Sequence, residues 1–322
     1  MTASAANSFD LLTDLMEQVR LEGTVYFHAE LPAPWGLEIA REGRSPFYFL
    51  AEGRAELRVR GLRAVRVVEA GDFVLIPRGT AHTVRSGPDA LLVGFDDFLA
   101  THPMDAAGRV RLRGRGPLTR VTGGFFSCDS LRANPLFAAL PALIHLKADS
   151  EQMREWLAPT LAFIEAEQDH PAQGGRTVLR RLADVLFIQA VRAVIAQSPH
   201  DASGWLRGLS DARVARALAL LHERYAEPWT LDSLARAAGI SRTLLAVRFK
   251  QLVGEPPMRY LERWRMTRAA TLLRETRLSV GLVGAELGYG SEAVFAKAFK
   301  RVHGAPPGRF RRASGIGPAL PT

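Results

Sequence analysis

The pattern of hydrophobic positions changes character along the chain. Between residues 21 and about 125, β-branched and aromatic residues form short, partly alternating runs, as in SPFYFLAEGRAELRVRG and LRAVRVVEAGDFVLIPRGTAHTVRSG. Turn residues such as Gly53, Gly61 and Gly71 separate these runs at short, regular intervals. Short strands at such spacing predict a closed or sandwiched antiparallel sheet, and they argue against alternating βαβ units.

From about residue 134 to 197 the apolar residues recur with the period of a helix. The segment GRTVLRRLADVLFIQAVRAVIAQ carries a broad apolar stripe. The central positions of this stripe are Leu182, Val185, Leu186 and Gln189. A stripe of this width indicates packing against the β region, a two-helix dimer interface, or both. The segment 201–211 contains Gly and Ser without periodicity and predicts a linker.

Downstream of the linker the pattern is helical throughout. The predicted helices cover 212–225, 231–238, 242–252, 256–274, 279–287 and 291–302. Asp, Ser and Thr residues stand at their starts, and Gly239, Gly254 and Gly304 mark their joints.

One short pattern occurs twice in this region, as RAAGISRTLLAVRFKQLVGEPPMRYL and as ELGYGSEAVFAKAFKRVHGAPPGRFRR. Each copy reads as a short helix, a turn at a glycine (Gly239 or Gly288), a serine cap and a second helix. Two short helices joined by a glycine turn are the plan of a helix-turn-helix motif. The second helix of such a motif enters the major groove of DNA with its N-terminal residues foremost.

Inward-facing residues are expected on both second helices. In the first copy these are Leu245, Phe249 and Leu252, and in the second they are Phe295 and Phe299. The helix between the copies is about twenty residues long and therefore spans roughly 30 Å. Its two ends are expected to present the two motifs to successive major grooves on one face of a duplex.

The charge of the chain is unevenly distributed. Residues 205–322 hold 20 Lys and Arg against 9 Asp and Glu, whereas the remaining residues hold 22 against 24. Clustered positive charge favours phosphate binding, although a basic domain that binds no nucleic acid can have the same composition.

The sequence contains one cysteine, Cys128, and a single cysteine excludes an intramolecular disulfide framework. Cys128 is interpreted as a small buried residue or as a redox-sensing thiol. The beginning of the sequence lacks the apolar run of a signal peptide and no stretch suits a membrane span, so a cytoplasmic protein is expected.

Residues 213–312 resemble the DNA-binding domain of the AraC/XylS family of bacterial transcription regulators, through both glycine turns, the segment RMTRAATLLRE and the segment LGYGSEAVFAKAFKRVHGAPPGRFR. The resemblance implies double-stranded DNA as partner, a homodimer, and RNA polymerase as a further partner of an activator. It implies base contacts from Arg242, Thr243, Ala246 and Val247 and from Glu292, Ala293, Ala296 and Lys297, and DNA contact from Ser291. Backbone phosphates would then be bound by Arg242, Arg248, Lys250, Lys300 and Arg301.

The segment GDFVLIPRGTAHTVRS resembles the second motif of the cupin barrel, with Ser86 where Asn is usual. Enzymatic cupins bind a metal through further histidines of a first motif, but the corresponding stretch GRSPFYFLAEGRAEL contains none. A cupin enzyme or a metal-dependent sensor tethered to nucleic acid is therefore disfavoured, and neither cofactor nor metal is expected. An architectural DNA binder without an effector is a weaker alternative. The expected lining of an effector pocket is Tyr26, Trp35, Phe47, Phe49 and Leu75, with Arg78 and His82 as polar contacts.

The expected fold class is an α+β multidomain protein. A cupin-like β-barrel sensor (1–130) is followed by a helical dimerisation segment (131–200) and the linker (201–211). An all-α domain with two helix-turn-helix motifs (212–312) and a tail (313–322) complete the chain. The expected function is sequence-specific regulation of transcription in response to a small molecule.

Overall fold

The chain forms a β-rich unit and a helical unit. The computed structural model describes residues 13, 22–40, 44–105, 108–127, 137, 139–170, 172–197, 205–208 and 211–313. The β-rich unit contains residues 22–127 and 140–197 of this set, and the helical unit contains 13, 137, 139, 205–208 and 211–313. Among the described helices, none combines the length and the apolar character needed to cross a membrane.

Two sheets build the β-rich unit. Their strands are β1 Glu22–Pro32, β2 Gly36–Ile39, β3 Arg44–Glu52, β4 Arg54–Val59, β5 Arg66–Glu69, β6 Phe73–Leu75, β7 His82–Arg85, β8 Val93–Gly94, β9 Arg109–Arg111, β10 Leu118–Ser127 and β11 Ile144–Leu146. The six-stranded sheet has the order β11-β6-β3-β10-β1-β9, and the five-stranded sheet has the order β5-β4-β7-β2-β8. Most neighbours are antiparallel, as predicted, but β9 and β8 run parallel to β1 and β2.

Strand alternation places one face of each sheet in a common core. On β1, Ala29 and Leu31 are buried, whereas the intervening Glu30 is half-buried on the other face. Apolar residues of both sheets meet in this core, including Leu50 of β3, Leu57 of β4 and others. The core residues from the two sheets are Phe27, Ala29, Leu31, Leu37, Ile39, Tyr48, Leu50, Ala55, Leu57, Val59, Val68, Val74, Val84, Val110 and Val121. The sandwiched arrangement expected from the short strand runs is therefore present.

Three helices accompany the sheets: α1 Phe95–Thr101, α2 Ala158–Asp169 and α3 Gly175–Gln197. A π-helical turn, Met153–Leu157, leads into α2. The outer face of the six-stranded sheet packs against α3, because the ring of Phe126 on β10 lies 5.1 Å from the ring of Phe187. Phe47 lies 5.0 Å from Phe126 in the same layer. Aromatic residues on this face thus serve as a second, helix-covered core.

The helical unit consists of α4 Trp205–Gly208, α5 Ala212–Glu223, α6 Leu231–Ala238, α7 Arg242–Val253, α8 Pro257–Glu275, α9 Val280–Glu286, α10 Glu292–His303 and α11 Pro307–Ala313. The six helices predicted from periodicity and caps are confirmed, with ends that differ by no more than two residues. The helix α4 lies inside the predicted linker, and its Gly208 is buried where a Cβ would approach side-chain atoms of Leu218 and Val253 to about 3 Å. Compact structure therefore begins within that segment. Of the predicted tail, only Ala313 belongs to the described residues.

Candidate nucleic-acid interface

The first helix-turn-helix motif is formed by α6 and α7. Thr230 and Ser233 form a capping box at the start of α6, with Thr230 Oγ1 accepting from the Ser233 amide at 3.1 Å. Gly239 ends α6 in the left-handed conformation at φ +70°, which a residue with a Cβ rarely adopts. Ser241 Oγ then accepts the Leu244 amide at 3.3 Å and starts α7. The sequence thus specifies both ends of the turn locally.

The second motif repeats this arrangement with α9 and α10. Ser279 and Ser291 cap the two helices by accepting the amides of Leu282 and Val294 at 3.2 and 3.3 Å. Gly288 has φ +79° between them. A Cβ at Gly288 would lie 2.1 Å from the carbonyl oxygen of Ala226, so this turn also touches the chain that precedes α6. The second glycine is required by close packing as well as by its backbone angle.

Buried aromatic residues hold each second helix in place. Leu245 and Phe249 of α7 are fully buried, as predicted, but the third inward position is Val253, whereas Leu252 is only half-buried. Val253 lies four residues after Phe249 and therefore on the same face of the helix, and Gly254 ends the helix directly after it. In α10, Phe295 and Phe299 are fully buried, as predicted.

The connecting helix α8 is shared by both motifs. Its 19 residues correspond to a length of about 28 Å. Tyr260 near its start packs edge-on against Phe249 of α7, with ring centroids 5.7 Å apart. Met266, Ala269, Ala270 and Leu273 near its end belong to the cluster that contains Phe295 and Phe299. A single rigid helix therefore fixes the relative position of the two motifs.

A clamp between α8 and the preceding loop adds to this rigidity. Arg265 donates from Nε to the carbonyl oxygen of Tyr225 and from Nη2 to that of Glu227, both at 2.7 Å. Its guanidinium also lies 5.7 Å from the ring centre of Tyr289, at the second turn. Burial lowers the pKa of Arg265, and these carbonyl oxygens satisfy its donors. One side chain thus ties the chain before the first motif to the turn of the second.

The base-contacting positions implied by the resemblance, and the cap residue Ser291, lie at the N-terminal ends of α7 and α10. Arg242, Thr243, Val247, Ser291, Glu292, Ala293 and Lys297 are exposed, and Ala246 and Ala296 are half-buried. The two half-buried alanines occupy equivalent places, one residue after Leu245 and one after Phe295. Both helices consequently present an exposed N-terminal face with one small, half-buried alanine in it.

Two exposed apolar residues of this face were not among the DNA contacts predicted from the sequence. Leu244 and Val294 are 38 % and 59 % exposed, and each is the third residue of its helix. Successive side chains of a helix point about 100° apart, so Leu244 and Val294 lie beside the stripes formed by Leu245 with Phe249 and by Phe295 with Phe299. Their exposure is decided by packing, since the adjacent Leu186 and Phe187 of α3 are both buried.

The basic side chains of the two helices fall into two groups. Arg248 binds Asp211 at 2.9 Å, Arg242 lies 3.6 Å from Asp232, and Arg301 pairs with Glu262. Lys250, Lys297 and Lys300 are exposed, and no ion-pair partner for them occurs among the described residues. The lysines are therefore available to bind phosphates without breaking an intramolecular contact. The arginines must first exchange an acidic partner for a phosphate.

In the β-rich unit, the predicted effector pocket is not formed as one site. Phe47, Phe49 and Leu75 share the outer face of the six-stranded sheet, since Phe47 pairs with Leu75 and Phe49 with Phe73 across β3 and β6. Trp35 and His82 are buried elsewhere, and Arg78 is exposed and donates to the carbonyl oxygen of Leu140 at 2.9 Å. The side chain of Tyr26 lies outside the described residues. Strand alternation divides the proposed lining between two faces, which sequence proximity does not reveal.

His82 is hydrogen-bonded within the protein through both ring nitrogens. Nδ1 lies 2.9 Å from the carbonyl oxygen of Thr80, so it carries the proton, and Nε2 accepts from the Tyr48 hydroxyl at 2.8 Å. Burial lowers the pKa of His82 to about 4, outweighing the bond to Thr80, and therefore keeps the ring neutral. His28 and His145 bind Thr122 and Asp72, both at 2.8 Å. Across the described residues, no group of three or more His, Cys, Asp or Glu side chains could hold a metal ion.

A small apolar cavity of about 60 Å³ opens beside Tyr48. It is lined by Phe27, Ile39, Tyr48 and Phe95, together with Arg44, whose guanidinium stacks 4.2 Å from the ring centre of Phe125. Tyr48, the hydrogen-bond partner of His82, forms part of its wall. The cavity combines an apolar lining with one cation at its edge.

The predicted dimer stripe on α3 is partly core. Leu186 is fully buried, whereas Val185 is 40 % exposed, and Leu182 and Gln189 are half-buried. Packing against the sheet therefore uses Leu186 and its neighbour Phe187, and the outward edge of the stripe runs through Val185. On α2, Phe163 is 67 % exposed, so a second apolar side chain lies on the surface of the same helical pair. Cys128 lies outside the described residues.

Comparisons with known proteins agree with this architecture. A cupin family model matches residues 10–196, and a helix-turn-helix domain model matches residues 234–313. The chain is 35 % identical over 266 residues to a putative AraC-like transcription regulator of Streptomyces lividans, covering 83 % of this chain and 86 % of that protein. It is 30 % identical over 313 residues to the HTH-type transcriptional regulator AlkR of Acinetobacter baylyi, covering 95 % of this chain and all of that protein.

Among solved structures, the DNA-binding domain of AdpA in complex with a target DNA is 30 % identical, with a TM-score of 0.31, and covers 32 % of this chain and 92 % of that one. The family assignment rests on the cupin match to more than half of the chain and on the relatives aligned over nearly their whole length. Two helix-turn-helix motifs on one connecting helix, downstream of a cupin sandwich, are thus the parts of a regulator, and the chain belongs to the AraC family of DNA-binding transcription regulators with an N-terminal cupin domain.

Proposed function

We propose that the chain acts in the cytoplasm as a homodimeric regulator that reads double-stranded DNA with α7 and α10 and responds to a small molecule. It acts through binding and not as an enzyme. The observation that carries this proposal is the pair of capped, exposed helix N-termini mounted on the single helix α8. A connecting helix of about 28 Å approaches the roughly 34 Å between successive major grooves on one face of DNA.

The reading surface of α7 is mainly apolar at its centre. Apolar contacts to thymine methyl groups are available from Leu244, Ala246 and Val247. Thr243 can donate or accept a hydrogen bond. In α10, Glu292 can accept from cytosine N4 and Lys297 can donate to guanine, with Val294 as an apolar neighbour. The two helices therefore read different chemistry, and the operator half bound by α10 carries most of the hydrogen-bonded specificity.

Lys297→Ala tests this assignment against backbone anchoring. The substitution is expected to weaken binding to a preferred duplex by about 1–3 kcal/mol, which is about fivefold to 150-fold, and to relax base preference at one position. Selection of bound sequences from a random duplex pool, followed by fluorescence anisotropy on the selected duplex, measures both effects.

Lys300→Ala is the matched control for this experiment. Lys300 lies one helical turn further from the N-terminus of α10 and is assigned to phosphate, so its removal is expected to weaken all duplexes equally and leave the selected sequence unchanged. If Lys297→Ala behaves in the same way as Lys300→Ala, Lys297 belongs to the phosphate contacts as well.

The effector is assigned to the apolar cavity beside Tyr48. Its lining by Phe27, Ile39 and Phe95 suits a small apolar molecule, and Arg44 at the edge can bind a polar or anionic group on that molecule. The cavity volume of about 60 Å³ is small, so binding requires that side chains at the opening move aside. Movement of Phe95 would reach α1, because Phe95 is its first residue.

The homodimer is assigned to the outward edge of α3 and the adjoining surface of α2. Val185 and Phe163 supply exposed apolar area there. RNA polymerase is a further partner if the regulator is an activator.

Val185→Glu is expected to dissociate the dimer and leave the monomer folded, because the side chain is 40 % exposed. Leu186→Glu, its buried neighbour, is expected to unfold the β-rich unit, since an unpaired carboxylate in the core is costly. Sedimentation velocity with circular dichroism separates the two results. A Val185→Glu protein that sediments as a folded dimer places the interface elsewhere.

A further inference from the structure

A polar cavity of about 260 Å³ lies on the outer face of the six-stranded sheet, in the β-rich unit. Its charged lining comes from four separate elements: β1, β9, β10 and α2. The side chains are His28 and Glu30, Arg109 and Arg111, Arg120, and Glu165. Two of its arginines belong to the basic segment RVRLRGR (residues 109–115), which neither DNA binding nor the apolar cavity involves.

Strand register explains why the charges converge. Arg109 pairs with His28 and Arg111 with Glu30 across the parallel β9–β1 pair, while His28 pairs with Thr122 and Glu30 with Arg120 across β1–β10. The intervening Val110 and Ala29 are buried in the core. Alternation therefore turns the charged residues of three adjacent strands to the same outer face, in two parallel rows.

Intramolecular ion pairs hold the row that contains Arg111, Glu30 and Arg120. Glu30 lies 3.3 Å from Arg111 Nε and 3.9 Å from Arg120 Nε, and Glu52 binds Arg120 Nη1 at 2.9 Å. A guanidinium has five N–H donors. Arg111 contacts Glu30 through Nε, and 62 % of the Arg111 side chain is exposed, so the guanidinium keeps a solvent-facing side that a ligand can reach.

The balance of charge in the cavity selects the kind of ligand. The cavity presents both signs of charge, because three arginines and two carboxylates line it and Glu52, outside the lining, also binds Arg120. Guanidinium groups bind carboxylates through paired, charge-assisted hydrogen bonds. Glu30 and Glu165 accept hydrogen bonds, so they suit an amino or hydroxyl group on the same molecule. A volume of about 260 Å³ is at the lower end for ligand pockets, which fits a molecule of amino-acid size.

We infer that this cavity is a second ligand site, which binds a small carboxylate carrying an amino or hydroxyl group. The site faces away from the core that contains Tyr48 and His82, so it is separate from the apolar cavity. Arg109 and Arg111 hold the carboxylate, and Glu165 of α2 accepts from the amino or hydroxyl group. The inference does not depend on DNA binding or on an effector at the apolar cavity.

Isothermal titration calorimetry of the full-length protein tests the site with three probes on one four-carbon skeleton: L-aspartate, L-malate and succinate. Saturable binding of one molecule per chain is expected, with aspartate or malate bound more tightly than succinate, which lacks the amino or hydroxyl donor. Arg111→Gln is expected to weaken that binding about tenfold or more, since a hydrogen bond between two charged groups is lost. The Arg111 side chain is 62 % exposed, so this change spares the fold.

Arg113→Gln is the matched control, because Arg113 belongs to the same basic segment, is exposed and does not line the cavity. It is expected to leave the affinity unchanged. A second readout is the ring signals of His28 in nuclear magnetic resonance spectra, which should shift on titration with the tightest probe. Absence of saturable binding by all three probes overturns the inference. Equal weakening by Arg111→Gln and Arg113→Gln also overturns it, because the attraction is then diffuse.

Discussion

Raising the salt concentration from about 50 to 200 mM is expected to weaken duplex binding by the full-length protein about a thousandfold or more. The helical region carries 20 Lys and Arg against 9 Asp and Glu, and six of its cations lie on the two reading helices. They are Arg242, Arg248, Lys250, Lys297, Lys300 and Arg301. Each phosphate that they neutralise releases a counterion from DNA, so log affinity should fall linearly with log salt. Fluorescence anisotropy on a selected duplex measures the slope.

Charge reversal at the unpaired lysines should reduce that slope. In a protein carrying both Lys250→Glu and Lys300→Glu, two phosphate contacts are lost and the slope should become shallower by about two. Arg176→Glu together with Arg180→Glu makes the same change of charge on exposed residues of α3, outside the reading helices. This control should keep the wild-type slope. Equal effects of the two pairs would show that net charge, and not the reading helices, governs binding.

Gly288→Ala is expected to destabilise the helical unit by about 3 kcal/mol or more, because two costs add. The residue has φ +79°, where an L side chain is strained, and its Cβ would lie 2.1 Å from the carbonyl oxygen of Ala226. Neither the turn nor the Ala226 backbone can move without disturbing the Arg265 clamp. Chemical denaturation followed by far-ultraviolet circular dichroism measures the loss.

Gly239→Ala is the matched control in the first motif. This glycine also has a positive φ, +70°, but no atom lies within 4 Å of its added Cβ. Only backbone strain remains, so a cost of about 1 kcal/mol is expected. Equal losses of unfolding free energy for the two variants would mean that the Ala226 backbone moves aside at little cost. Backbone strain at the positive φ would then be the main cost at both glycines.

The helical unit could be predicted closely because its signals are local. Ser241 and Ser291 cap helices through amides three residues away, and Gly239 and Gly288 adopt angles that their own lack of a side chain permits. A periodic apolar stripe then identifies Phe249 and Phe295 as inward-facing. The caps and turns depend on fewer than five consecutive residues, and each apolar stripe is confined to one helix, so these signals lie within short segments of the chain.

The pocket and the dimer stripe could not be assigned in the same way. Alternation shows that Phe47 and Tyr48 point to opposite faces of β3, but it cannot show which face meets α3 and which meets the second sheet. Likewise, a stripe that includes Leu186 and Val185 is apolar throughout, and only packing against the sheet decides which of the two is buried. Burial of an apolar side chain is a property of the assembled layers.

By itself the sequence determined the helix ends, the two glycine turns, the uneven charge and the short-strand architecture, because each arises from neighbours along the chain. Tertiary structure alone decided that Arg109 and Arg111 of β9 would join Arg120 of β10 beside Glu30. In the sheet, β1 lies between β10 and β9, although it precedes both of them in the sequence by more than 70 residues. Strand pairing at long range brings such charges together, and no pattern within one segment encodes its partner.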